Sequence, residues 1–283
     1  MNPTATSTVL RAGFAQGRIE LRQSFTGAEL LSNLLWPVAT LVALFFLRER
    51  GVAGSDLTLS TLALPGVLGM FTSFGLLLVI QSLAADREDG SLLRAKAIPN
   101  GVRGYLTGKL VTVSGTILAY LVILLVPGLL LVGGLELDGL RSWLTLGWVL
   151  LLGLVATQSV GAIIGSLVGS SRGAGILALP VIGLIAISGI FYPVTALPEW
   201  LQWIAQAFPV YWLGLGMRSA LLPDGAASVE IGESWRQLET FAMLGAWAAL
   251  GLMLAPIVLR RMARRESGAG VAERREKLLR RVG

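Results

Sequence analysis

The chain has no cysteine and no histidine among its 283 residues. Disulfides, thiol nucleophiles and thiolate ligands are thereby excluded, as are the common zinc sets and acid–base catalysis by imidazole. Charge is scarce too. Asp, Glu, Lys and Arg together make 14% of the chain, where soluble domains carry about a quarter. The acidic residues fall in loops, with no pair at metal-ligand spacing inside an apolar stretch. A phosphate-binding loop is also missing. Gly104-x-x-x-Gly108-Lys109-Leu110 comes nearest, but it is one residue short, and Leu110 stands where a magnesium-binding Ser or Thr is required. The chain is therefore not expected to hydrolyse ATP by itself, or to hold a metal or cofactor.

What fills the sequence instead is apolar. Hydrophobic residues make 54% of it, gathered into stretches of about 20 residues, the length that crosses a bilayer core. Six spans are expected, at about 30–47, 60–84, 110–134, 143–169, 173–192 and 238–259. All should be helices, because backbone amides in lipid must bond within their own segment. The fold class is thus an all-α integral membrane protein. Its parts are an N-terminal segment 1–29, a six-span domain 30–259 and a basic tail 260–283.

Eighteen of the 23 Lys and Arg residues fall on one side if the N-terminus is cytoplasmic. They include Arg11, Arg18, Arg22, Arg87, Arg94, Lys96, Arg103, Lys109 and Arg172, with nine in the tail. Only Arg48, Arg50, Arg141, Arg218 and Arg236 fall opposite. Basic residues are retained inside, so both termini are expected in the cytoplasm of a multi-pass protein of the cell membrane. The pI of 10.3 then reflects topology and contact with lipid headgroups, not nucleic acid binding. The first 28 residues are polar or amphipathic, so no cleavable targeting peptide is expected. Within them Leu10, Phe14, Leu21 and Phe25 share one helical face, and Arg11, Arg18 and Arg22 another. Such a helix is expected to lie along the inner membrane surface.

The spans are almost free of ionisable groups. Glu29 and Glu239 lie near span ends, and the interior polarity is neutral, as at Asn33, Thr40, Gln81, Ser114, Tyr120, Gln158 and Ser188. Carriers driven by an ion gradient usually keep charges within their spans. A partner-driven transporter fits better. The loop at 85–109 supplies a docking surface: Glu88-Asp89-Gly90-Ser91-Leu92-Leu93 should open a short helix that Pro99 ends. Ser91 is the expected cap, with Glu88 and Asp89 complementing the positive helix end. A second irregular stretch, 191–218, is broken by Pro193, Pro198 and Pro209. There Trp200, Trp203, Ile204, Ala207 and Phe208 make an apolar face with aromatics suited to the lipid–water boundary. Gly161, Gly165 and Gly169, four apart in the fourth span, suit close helix packing or a moving interface.

These features resemble the type-2 ABC exporter permeases, and most nearly the daunorubicin-type drug export permeases. In that family a Glu-x-Gly-Thr-apolar-apolar coupling loop is followed by Pro and then Gly-Lys, and a Phe-x-Pro-x-x-x-Leu-Pro run recurs between spans five and six. Here Ser91 replaces the Thr. The resemblance covers nearly the whole chain and implies an N-terminal elbow helix, a coupling helix between spans two and three, and a re-entrant hairpin between spans five and six. It implies that Glu88, Gly90, Ser91, Leu92, Leu93 and Pro99 engage a cytoplasmic ABC ATPase, present in two copies and holding the ATP and magnesium. It also implies a second permease subunit, identical or paralogous. Phe191, Pro193, Pro198, Trp200, Trp203 and Phe208 would then form either an exit gate or an interfacial anchor. Related permeases move drugs, lipids, peptides, polysaccharides or lipid-linked glycans, and a mostly apolar lining favours an amphiphilic cargo.

Overall fold

A computed structural model describes residues 3–51, 57–98, 101–137 and 139–265. It is almost entirely helical. The helices are α1 (Pro3–Ser24), α2 (Gly27–Leu47), α3 (Leu59–Glu88), α4 (Ser91–Lys96), α5 (Gly101–Leu131), α6 (Leu140–Leu167), α7 (Ser171–Ile187), α8 (Glu199–Ala207), α9 (Pro209–Leu221) and α10 (Gln237–Arg265). Thr58 opens α3 by accepting the Thr61 amide at 3.3 Å, and Ser170 opens α7 by accepting that of Gly173 at 3.2 Å. Pro209 begins α9, where its missing N–H costs nothing.

Five helices, α2, α3, α5, α6 and α10, are long and apolar enough to cross a membrane. The fifth expected span, at 173–192, is the shorter helix α7. Its 17 residues rise about 25 Å, against a bilayer core of about 30 Å. Helix also invades the segment expected as a loop at 85–109. Charged residues continue α3 to Glu88 and α5 begins at Gly101, which leaves only α4 and its flanks between them. Pro99 and the tail beyond residue 265 lie outside the described residues.

The long helices run alternately between two ends. One end, the loop end, carries α1 and α4; the other, the hairpin end, carries α8 and the 3-10 turns at Val194–Ala196, Asp224–Val229 and Ile231–Glu233. α3 and α6 form the centre, while α2, α5 and α10 leave most of their surface facing outward. The core joins Leu64, Leu68, Phe71 and Leu83 of α3 to Val149 of α6 and to Tyr211, Leu213 and Leu215 of α9. α9 is buried along its length, with α3, α6 and α10 packed around it.

Glycine sets the α3–α6 spacing. A Cβ at Gly161 would lie 2.5 Å from the Leu76 carbonyl oxygen, and one at Gly165 would lie 3.1 Å from the Ile80 Cα. The expected three-residue stripe is corrected at Gly169. α6 ends at Leu167, the chain turns extended at Val168, and Gly169 has nothing within 4 Å of a would-be side chain. Polar side chains bridge neighbouring helices inside. Gln158 donates to Ser114 at 2.8 Å, while Tyr120 donates to Asn33 at 2.8 Å, and Asn33 donates in turn to the Ser24 carbonyl at 2.6 Å.

Candidate functional site

The loop end is wired through three consecutive residues in the last turn of α3, each directed at a different neighbour. Asp86 accepts from Tyr105 Oη at 2.6 Å and pairs with Lys109 at 2.8 Å, both on α5. Glu20 of α1 lies 3.7 Å from the same Lys109 and accepts from Thr112 at 3.2 Å. Arg87 turns to the end of α6, where its Nη1 donates to the Ser166 and Val168 carbonyls. Glu88 turns to the start of α7, accepting the Ser171 amide at 3.0 Å and its hydroxyl at 2.5 Å. Opposite charges thus meet opposite helix ends: the guanidinium lies at the carbonyl end of α6 and the carboxylate at the amide end of α7. The sequence reading missed this, because nothing in the local pattern says that residues about 80 positions apart will meet.

α4 follows at once. Gly90, at φ 79°, reverses the chain in a left-handed conformation that any side chain would strain. The expected cap is corrected. Ser91 does not cap; Asp89 Oδ1 accepts the Ser91 amide at 2.7 Å, and the Ser91 hydroxyl accepts from Arg94 at 2.8 Å. Leu92 is buried against the bundle, and Lys96 Nζ donates to the Arg264 carbonyl at the end of α10, 3.2 Å away. Gly90 and Leu92 are therefore buried, and Glu88 is engaged by α7. Ser91 and Leu93 are half-buried. The outward face is made by Asp89, Arg94, Lys96, Ala97 and Ile98, the last 62% exposed.

α1 lies against the first turns of α5 through a seam of small residues. Gly13 and Gly17 back onto the Gly104 and Gly108 carbonyls so closely that a Cβ at either would strike backbone. The near-miss phosphate loop at 104–109 is thus a helix-packing strip. Among the α1 residues whose side chains are described, Gly13 and Gly17 are buried against α5, and Phe14 points outward.

At the hairpin end, Pro198 leads into α8 and Pro209 into α9, with only Phe208 between the two helices. Trp200 and Trp203 are 63% and 68% exposed, and Phe191 also faces outward. Phe208 stacks on Trp247 of α10 with ring centroids 6.2 Å apart. The inward side is polar. Trp212 Nε1 donates to the Gln206 carbonyl at 2.6 Å, and Arg236 donates to Gln206 Oε1 at 2.9 Å. A buried ion pair lies beneath. Arg218 Nε of α9 is 2.8 Å from Glu230 Oε1, with side chains 8% and 2% exposed, close as charges though not aligned as a hydrogen bond. Arg218 Nη1 also donates to the Gly189 and Ile190 carbonyls after α7, at 3.0 and 3.2 Å. Arg218, one of the five basic residues assigned to the far side, is thus buried and paired. Its partner is twelve residues away across the 3-10 turns, a pairing that spacing does not reveal.

Among the described residues no group of three or more Asp or Glu could hold a metal ion. What the geometry offers is linkage between helix ends, in a multi-pass membrane protein of the transporter class. A model of the ABC-2 family transporter proteins matches residues 47–258, about three quarters of the chain, and the chain belongs to that family. Members are membrane subunits that usually lack a nucleotide-binding domain, and membership implies partnership with an ABC ATPase subunit. It also sets aside the secondary-carrier reading. No curated protein matches the chain.

Proposed function

We propose that the chain is the permease subunit of an ABC exporter, moving an amphiphilic molecule such as a drug or lipid-like compound out of the cell. A separate ATPase, in two copies, docks on the outward face of α4 from the cytoplasm, and a second permease subunit completes the pathway. The observation that carries this reading is the hub at Asp86, Arg87 and Glu88. A short helix with one exposed face is joined there to the ends of α5, α6 and α7, and through Lys96 to α10. A push on α4 is thereby delivered to four helices at once.

On this reading α1 is the elbow helix, α7 is the fifth of six crossings, and residues 191–218 are a re-entrant segment. The crossing by α7 is supported by its ties to both ends of α3. Glu88 holds its first residue, and the Ile190 carbonyl just beyond its end abuts Gly66. Gly66 and Glu88 are separated by about 33 Å of helix at 1.5 Å per residue, enough to cross a bilayer core. Six crossings return both termini to the cytoplasm, in agreement with the basic-residue asymmetry.

The test is Glu88→Lys, which places a cation at the amide end of α7 and removes both Ser171 bonds. The variant should insert and bind its ATPase, while ATP hydrolysis by the complex ceases to respond to the permease. A complex that hydrolyses ATP and exports as wild type does would refute the coupling role.

A further inference from the structure

Towards the loop end, α5 packs on α3 and α10 packs on α6, and a cavity of about 150 Å³ lies among the four helices. Its wall is largely aliphatic, including Leu83, Leu106, Leu110 and Leu259. Polar groups border it as well, among them the Thr107 and Ser159 hydroxyls. Gln158, 2% exposed, gives Nε2 to Ser114, and its Oε1 has no partner. Pro256 has no N–H, so the carbonyl of Leu252, one turn earlier on the same wall, lacks its usual helical donor. Lys109 borders the cavity too, but its charge is already taken by Asp86 at 2.8 Å and Glu20 at 3.7 Å.

An acceptor left open in an apolar interior is costly, so a donor reaching it is favoured. The buried Gln158 acceptor, with no open charge beside it, defines the ligand. A cation would meet the Lys109 ammonium, and a carboxylate would meet the Gln158 oxygen with no counter-charge to spare. We propose that this cavity binds the hydroxyl end of a neutral, single-chain amphiphile from the adjoining leaflet, with the hydroxyl donating to Gln158 Oε1 and the first methylenes against Leu106, Leu110 and Leu259. The site lies within one subunit, and it stands whether or not its occupant is exported.

The test uses the purified full-length chain in lipid nanodiscs and two photoactivatable probes, a hexadecanol and a hexadecane with the same diazirine a few carbons from one end, the hydroxyl end in the alcohol. Labelled peptides are mapped by mass spectrometry. The alcohol should label 106–110 and 252–259 saturably and be displaced by unlabelled hexadecanol, whereas the hydrocarbon should label lipid-facing residues without saturation. Gln158→Leu should lower alcohol labelling there by roughly threefold to tenfold, the net worth of one hydrogen bond, and leave hydrocarbon labelling unchanged. Ala162→Phe, which fills the cavity from α6, should abolish the saturable fraction; Ala255→Phe fills it from α10 if that variant fails to fold. Equal, unsaturable labelling by the two probes, or unchanged alcohol labelling in a folded Gln158→Leu chain, would overturn the proposal and leave the cavity to water.

Discussion

Breaking the Arg218–Glu230 pair should cost far more than replacing it. In Arg218→Met, the Glu230 carboxylate remains 2% exposed with its counter-charge gone, and the Gly189 and Ile190 carbonyls lose their shared donor. An uncompensated buried charge of this kind costs about 3–5 kcal/mol. In Glu230→Leu the guanidinium keeps those two carbonyls, so the loss should fall at the lower end, about 3 kcal/mol. The double variant leaves no stranded charge. It should cost only about 1–2 kcal/mol, for the two carbonyls left without a donor, against about 6–8 kcal/mol if the single losses added, a coupling of about 4–7 kcal/mol between the two substitutions. The assay is reversible unfolding in mixed micelles of increasing SDS content, followed by tryptophan fluorescence and circular dichroism. A loss of 3 kcal/mol shifts the folding equilibrium by about two orders of magnitude, well within reach of that titration. Strictly additive losses, or single variants within about 0.5 kcal/mol of the parent, would show that the pair is hydrated and open, and the buried latch would be wrong.

Two further substitutions test the packing. Gly161→Leu sets a side chain against the α3 backbone at Leu76 and should cost about 1–3 kcal/mol or prevent folding, whereas Gly169→Leu should stay within about 0.5 kcal/mol in the same titration. Gly17→Leu should push α1 off α5 at Gly108, so tryptic cleavage at Arg18 and Arg22 should rise in membranes while the remaining helices keep their protease resistance.

The class of the fold was legible because lipid leaves few choices: long apolar runs must be helices, and their edges are marked by charge, proline and glycine. Helix boundaries are not legible where helix runs on past the apolar stretch, as at Asp86–Glu88 and Gly101–Lys109. Hydropathy falls there, but the backbone has reason to stay helical, since Asp86 and Lys109 satisfy each other. Gly161 and Gly165 could be read from their spacing, and Gly169 could not be excluded, because spacing does not show where a helix ends. Gly13 and Gly17 carried the same signal on α1, but it was hidden by the more obvious alternation of apolar and basic residues. In the candidate site, the exposed and buried faces of α4 were beyond local pattern. Glu88 and Ser91 have the residue types expected of a docking helix, yet Glu88 is bonded to the start of α7 and capping falls to Asp89. The Arg218–Glu230 pair was invisible for the same reason, since each residue alone looks like a solvent-side charge.

The most direct test of the central claim uses the absence of native cysteine. Ile98→Cys places a single thiol on the exposed face beside α4, and Trp203→Cys places one on the opposite, hairpin end. Each chain is treated in cell membranes with a short maleimide–diazirine reagent, irradiated so that the diazirine inserts into whatever lies beside the thiol, and adducts are identified by mass spectrometry. The account predicts that Ile98→Cys is joined to an ABC ATPase and Trp203→Cys is not. An ATPase that co-purifies with the chain yet never reaches Ile98→Cys, or one captured by Trp203→Cys, would contradict it.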